Sequence, residues 1–278
     1  MIHLLAILAA FIPALLWLWF FNRRDRYERE PKSLILKLFL WGVLSGPWAA
    51  GFNDMFGQIW SPMIKGAPSF GLFAVFLFIM VYALALNEET MKYMVTGNTV
   101  RGDPNFNEPV DGMIYMTSAA LGFAAGENFI YIIGSFFGVF QEAVKGGMPA
   151  QGALTQAFVA AFGVLAPVRS LITAVGHVTW SGITGYFLAK HIVGGGSKRL
   201  VTIGVFLAAL LHTAFNYPQF LGSVIDPKAG FFSRFFLVAL VAWLIGLIIY
   251  FKLLRRALAA SPFRTQQIAA AAPEPAKP

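Results

Sequence analysis

Cysteine is absent from this chain and charge is scarce. None of the 278 residues is Cys, and 12% are Asp, Glu, Lys or Arg, about half the share found in an ordinary soluble domain. The lack of cysteine excludes disulfides, zinc–thiolate and iron–sulfur centres, and thiol nucleophiles. Low charge with 58% hydrophobic residues and a mean hydropathy of +0.67 excludes a soluble globular enzyme and a disordered chain alike. The composition is that of a membrane protein. The net charge of +8 sits beside apolar segments, so it carries topology information. It does not form a nucleic-acid surface, and no nucleic-acid partner is expected.

A spanning helix needs about 20 mostly apolar residues. Eight stretches qualify: 4–21, 34–52, 68–87, 113–137, 153–168, 170–189, 200–216 and 231–251. None alternates in the manner of a β-barrel strand. The expected fold class is therefore all-α, a polytopic membrane helical bundle of seven to eight transmembrane segments. The expected organisation is one integral-membrane domain over 1–260 and a disordered Ala/Pro-rich tail over 261–278. The first stretch follows only Met-Ile-His and no small-residue cleavage site comes after it, so it reads as an anchor rather than a signal peptide.

The loop RRDRYEREPK, with Arg23, Arg24, Arg26, Arg29 and Lys32, should face the cytoplasm and leave the N-terminus outside. Eight full crossings would split the basic residues about evenly. If 153–168, the shortest stretch and one weakened by Gln156 and Pro167, is re-entrant or interfacial, the outside keeps only Lys65, Lys145, Arg169, Lys228 and Arg234 of the 21 Lys and Arg. Charge thus favours seven crossings. Depth argues the other way. Eight crossings place every motif described below in the cytoplasmic half, whereas on seven His177 and His212 invert and meet the others only near mid-membrane. The expected location is a cell membrane, crossed many times.

Ionisable residues inside a bilayer are costly, and each is a functional hypothesis. Glu88 and Glu89 close the third stretch in ALALNEETMKYM, and Glu127 lies within ALGFAAGENFIYIIG. His177 lies in LITAVGHVTWSGITGYF and His212 in FLAALLHTAFNYP. Helical spacing puts Glu88 with Lys92, Phe123 with Glu127 and Tyr131, and His212 with Asn216. The bland readings are an interfacial Glu88–Lys92 pair and histidines that hydrogen-bond between helices. Glu127 resists such a reading, because no basic residue stands between Arg101 and Lys145. Gly42 with Gly46 and Gly122 with Gly126 have the spacing of close helix packing. Taken together, three carboxylates and two imidazoles leave excess negative charge in a low-dielectric bundle. A bound divalent metal would offset it, zinc suiting this donor set best, and a free glutamate could then activate water. Hydrolysis within the membrane is the first hypothesis. A proton- or ion-coupled transporter using the buried Glu/His residues is the alternative, and a metal-free glutamate–histidine hydrolase fits the same residues.

The chain has no HExxH and no GxGD, and Ser181 lacks a GxSG context. The sequence resembles the PrsW-type intramembrane proteases, within the CAAX-protease-like membrane hydrolases. The resemblance is carried by EETMKY, EPVDGMIYMTSAALGFAAGENFIY, RSLITAVGHVTWSGITGY and LLHTAFN, in that order, and by an opening span followed by EREPK. It covers about residues 5–220. Met116 and Ala120 depart from it where glycines are expected, and 140–165 does not align. The resemblance implies a protease that cuts membrane-anchored regulatory proteins such as an anti-sigma factor. It puts Glu88 and Glu89 on the family's catalytic glutamate pair, and Glu127, His177 and His212 on its other buried polar positions. The resulting expectation is a Zn2+ site of Glu127, His177 and His212, with Glu88 or Glu89 as general base. Lys92 would hold the pair's geometry and Asn216 would stabilise the oxyanion. The polar loop 95–112 is expected to line the cytoplasmic rim.

Overall fold

Pro167 and Arg169 lower the hydropathy between 153–168 and 170–189, yet the backbone does not break there. Leu165 and Val168 keep helical angles (φ −65°, ψ −48° and φ −63°, ψ −48°). The proline lacks a donor and its ring crowds the preceding turn. The helix responds by widening to π turns over Val159–Leu165 and Arg169–Thr173. The two stretches are thus one helix, neither two crossings nor a crossing plus a re-entrant piece.

The structure, a computed structural model, describes residues 1–226 and 234–264. Among them, seven helices are long and apolar enough to cross a membrane. They are α1 (Ile2–Asn22), α2 (Lys32–Lys65), α3 (Phe70–Val100), α4 (Asp111–Lys145), α5 (Ala150–Ile192), α6 (Arg199–Ile225) and α7 (Arg234–Ala259). No strand occurs among the described residues. The protein is a multi-pass helical membrane protein. Of the tail, Ser261 is buried and 265–278 lie outside the described residues.

Alternate crossings gather the loops 23–31, 101–110 and 193–198 at one end, together with the residues after α7. This end carries the basic clusters and is the cytoplasmic one by the positive-inside rule. The 43 residues of α5 reach roughly 64 Å at about 1.5 Å per residue, twice the hydrocarbon thickness, so α4 and α5 project together at the opposite end. Their turn is closed by Gly147 at φ +83°, a left-handed conformation glycine adopts at no steric cost. Met148 N–H then caps Ala143 O at 3.0 Å. The tip is solvated, with the Lys145–Glu142 pair 71% and 76% exposed.

α4 is the central post, buried at each residue from Asp111 to Asn128. Glycines let its neighbours reach its backbone. A Cβ added at Gly122 would stand 1.9 Å from Phe39 O of α2, and one at Gly42 would stand 2.1 Å from Ala119 O. α5 meets the other side at Gly112 and Gly185, where an added Cβ would fall 2.3 and 2.2 Å from the partner carbonyl. Such contacts replace the hydrophobic drive that lipid does not provide.

Candidate active site

Five helices bring polar side chains to one level of the bundle. α3 carries Glu88, Glu89 and Lys92 on a helix capped by Ser69, whose Oγ accepts from Leu72 N–H at 3.3 Å. The helix runs on to Val100, so the glutamates sit within it and not at its end. α4 presents Glu127 and Asn128, α5 presents Arg169, His177 and Ser181, α6 presents His212 and Asn216, and α2 presents Asn53. At about 1.5 Å per residue, Glu88, Glu127, His177 and His212 lie roughly 18–24 Å from the basic ends of their helices. Seven crossings therefore do bring the motifs together, near mid-bundle, and the conflict between charge and depth disappears.

Glu89 and Lys92 are fully buried and form the inner brace. Lys92 Nζ lies 2.7 Å from Glu89 Oε1 and 2.7 Å from His177 Nδ1, over the face of Phe123. Ser181 Oγ donates to Glu89 Oε2 at 2.7 Å, and His212 Nδ1 lies 3.2 Å from Glu89 Oε1. An ammonium cannot accept a hydrogen bond, so His177 accepts at Nδ1 and turns Nε2–H toward Glu127 Oε2, 3.1 Å away. Glu89 likewise fixes His212 with its hydrogen on Nδ1, leaving the Nε2 lone pair directed at Glu88 Oε2, 3.8 Å away. Trp180 stacks on His212 at 4.1 Å between ring centres.

Glu127 is not uncompensated. Arg169 of the widened stretch of α5 places Nη2 2.7 Å from Glu127 Oε2 and Nε 2.8 Å from Asn128 Oδ1, and lies over the Tyr131 ring. Glu88 accepts at Oε1 from Asn53 Nδ2 (2.9 Å), and Asn53 in turn accepts from Asn87 (2.9 Å). The other oxygen of Glu88, Oε2, is buried without a hydrogen-bond partner.

A metal would fit here. Donor atoms of Glu88, His177 and His212 all lie within 4.8 Å of one another. Glu88 carries the orphaned Oε2, and the second nitrogen of His212 rests on the Glu89 carboxylate, the arrangement that orients histidine ligands. His177 uses both nitrogens and would release Glu127 or Lys92 on joining. Glu127, expected as a donor, is instead engaged by Arg169 and His177.

Glu88, Glu127, His177, His212 and Asn216 line one cleft of about 1260 Å³, with Glu89 and Lys92 behind them. The cleft extends toward the non-basic ends of α2, α4 and α6, as far as Lys65, Ser135 and Phe220. No residue of 95–112 lines it. The expected cytoplasmic rim is therefore corrected: the helices continue past the site on that side and close it. All seven site residues expected from the sequence are gathered in this region. Arg169, Asn53 and Ser181 are additional. A polar run, FNDMFGQ, in an otherwise apolar helix was the available sign of Asn53.

Comparison with known proteins gives a family match over most of the chain. The family described as PrsW family intramembrane metalloprotease matches residues 30–247. The chain is 28% identical over 240 residues to Protease PrsW of Geobacillus kaustophilus, covering 84% of this chain and 85% of that one. It is 26% identical to Protease PrsW of Bacillus subtilis (75% and 80% covered) and 25% identical to Protease PrsW of Clostridioides difficile (76% and 77% covered). No solved structure matches.

Proposed function

Since the chain belongs to the PrsW family of intramembrane proteases, we propose that it cuts membrane-anchored regulatory proteins of the anti-sigma-factor kind, in the cell membrane, with a divalent metal at Glu88, His177 and His212. The observation that carries the metal reading is the orphaned Glu88 Oε2 facing the free nitrogen of His212. Glu88 is preferred over Glu127 as the carboxylate donor because Glu127 Oε2 already serves Arg169 and His177. Zinc suits two imidazoles and a carboxylate. Bound there, it would supply Lewis-acid polarisation of a peptide carbonyl and lower the pKa of a water.

The remaining residues act around that centre. Glu127, on the wall of the cleft, takes a proton from the attacking water and returns it to the amide nitrogen as the C–N bond breaks. Asn216, one turn beyond His212, donates to the carbonyl oxygen as it becomes negative. Glu89 holds His212 in the tautomer that frees Nε2, Lys92 holds Glu89 in place, and His177 would exchange its contact with Glu127 or Lys92 for the metal. The cleft's extension toward the non-basic end favours a substrate whose strand or helix end enters from that side.

Metal content and cleavage, measured on detergent-purified protein and on liposomes with a single-span substrate, test the reading. We expect about one zinc per chain in the wild type and in Glu127→Gln, and none in Glu88→Gln or His212→Ala, with cleavage lost in all three variants. Zinc retained in Glu88→Gln but lost in Glu127→Gln would return the donor role to Glu127. Cleavage without any metal, even after zinc is added and then chelated, would leave direct glutamate–histidine hydrolysis.

A further inference from the structure

A second group of carboxylates lies at the basic end of the bundle, remote from the cleft. The loop after α1 sorts its charges by direction. Arg23, Arg26 and Arg29 are exposed, while Asp25 is 1% exposed and Glu28 and Glu30 are half-buried. Facing them are Glu108, 0% exposed, and Asp111, the buried first residue of α4. This inverts the ordinary rule, since a buried carboxylate requires a partner.

The partners are few. Asp111 Oδ2 accepts from the N–H groups of Asn107 (2.9 Å) and Glu108 (2.8 Å), and Glu30 Oε2 accepts from the Tyr115 hydroxyl. Among the described residues, both oxygens of Asp25, both of Glu108, and one each of Glu28, Glu30 and Asp111 are buried with no hydrogen-bond partner. Glu108 adjoins Asp25 and the Ser261 side chain, and Glu30 adjoins Asp111, so that carboxyl groups face one another in pairs. The nearby Arg23 and Arg24 stack on Trp19 and Phe20, at 4.5 and 4.2 Å, and form no ion pair among the described residues. Burial, reinforced by Glu108 and Asp111, pushes the Asp25 carboxyl up to about 8. Carboxylates so crowded must take up protons or share a cation. The donors are oxygens alone, without imidazole, which is the preference of a hard ion rather than of zinc.

We propose that Asp25, Glu108 and Asp111, joined by Glu28 or Glu30, bind a hard divalent cation of the Mg2+ or Ca2+ class that clamps the α1–α2 loop to the start of α4. The oxygens do not converge within 4.8 Å as those of the Glu88 group do. Binding therefore rotates the loop side chains inward and stiffens this end of the bundle. The clamp sits on the helix that carries Glu127 but is chemically separate from the cleft.

Terbium, a luminescent stand-in for Ca2+, is the probe, with Tyr115 as the sensitising ring. The full chain in detergent is titrated with Tb3+ in the wild type, in His212→Ala and in Asp25→Asn/Glu108→Gln, followed by displacement with Ca2+ or Mg2+. We expect sensitised emission in the first two proteins and at least a tenfold loss of affinity in the third. Either Ca2+ or Mg2+, at saturation, should raise the melting temperature by about 5 °C, and the more effective displacer identifies the ion. The double variant removes the repulsion, so it should melt no lower than the chelated wild type and show no cation response. Emission lost in His212→Ala but kept in the double variant would assign the ion to the cleft and overturn the proposal. A melting temperature unmoved by either cation, without sensitised emission, would also overturn it and leave protons as the neutralising species. Neither result depends on whether zinc or cleavage is found at Glu88.

Discussion

Arg169 and Glu127 form an ion pair of 2.7 Å across α5 and α4, with both side chains about nine-tenths buried. The cation comes from the π-widened turn Arg169–Thr173 of α5 and reaches Glu127 and Asn128 of α4. Removing one member leaves the other charged and buried, which costs about 3 kcal/mol or more. Arg169→Gln should therefore lower the melting temperature in detergent and reduce cleavage at least tenfold. Arg169→Lys keeps the charge but not the two-point contact with Glu127 and Asn128, so it should recover most of the stability and only part of the activity. Equal activity in Arg169→Gln and wild type would show that Glu127 acts without this partner.

That pair also shows where the sequence could and could not be read. Glu127, His177 and His212 stood out because an ionisable residue amid apolar ones is rare, and helical spacing linked Glu88 to Lys92. Spacing works within one helix. It cannot pair Arg169 with a glutamate 42 positions away, nor tell which of two adjacent glutamates turns to the cleft and which to the lysine. Charge pointed to seven crossings, but the continuity of 153–168 with 170–189 was hidden for a related reason. Hydropathy falls at Pro167 and Arg169, as it would at a loop, although a proline flanked by π turns continues the helix. α2 and α3 were read short because Asn53 and Gln58, and Glu88 with Glu89, face a cleft or a buried network rather than lipid.

Glu88 and Glu89 are adjacent but should differ in kind when altered. Glu89 accepts from Lys92 and Ser181 and holds His212, a supporting position whose loss typically weakens a metal site 10–100-fold. Glu89→Gln should retain zinc at high concentration and lose it at low concentration, with cleavage falling in parallel and returning as zinc is added. Glu88→Gln, altering the proposed donor, should not be rescued by zinc. Titrated zinc against initial cleavage rate separates the two, and identical curves would show that the glutamates share one role.

Gly122 should tolerate no side chain. A methyl there would meet the Phe39 carbonyl at 1.9 Å, and backbone cannot rotate away as a flexible side chain would. α2 and α4 must separate, costing on the order of 3 kcal/mol and moving Asn53 from Glu88. Gly122→Ala should thus lower both the melting temperature and the cleavage rate. Gly134→Ala in the same helix meets nothing within 4 Å and should leave stability unchanged or slightly raised, since alanine favours the helix. Similar melting temperatures for the two variants would mean that the α2–α4 contact yields without cost.

The absence of cysteine makes the course of α5 directly measurable with single-cysteine variants. Met148, in the turn before α5, and Ser197, in the turn after it, are both exposed. If Ala150–Ile192 crosses once, the two positions lie on opposite faces of the membrane. In right-side-out vesicles an impermeant maleimide should label Met148→Cys and spare Ser197→Cys until the membrane is opened. Were 153–168 and 170–189 separate crossings, the chain would return to the same face and both would be labelled from outside. That result would overturn the single continuous α5, on which the contacts of Arg169 and His177 with Glu127 of α4 are built.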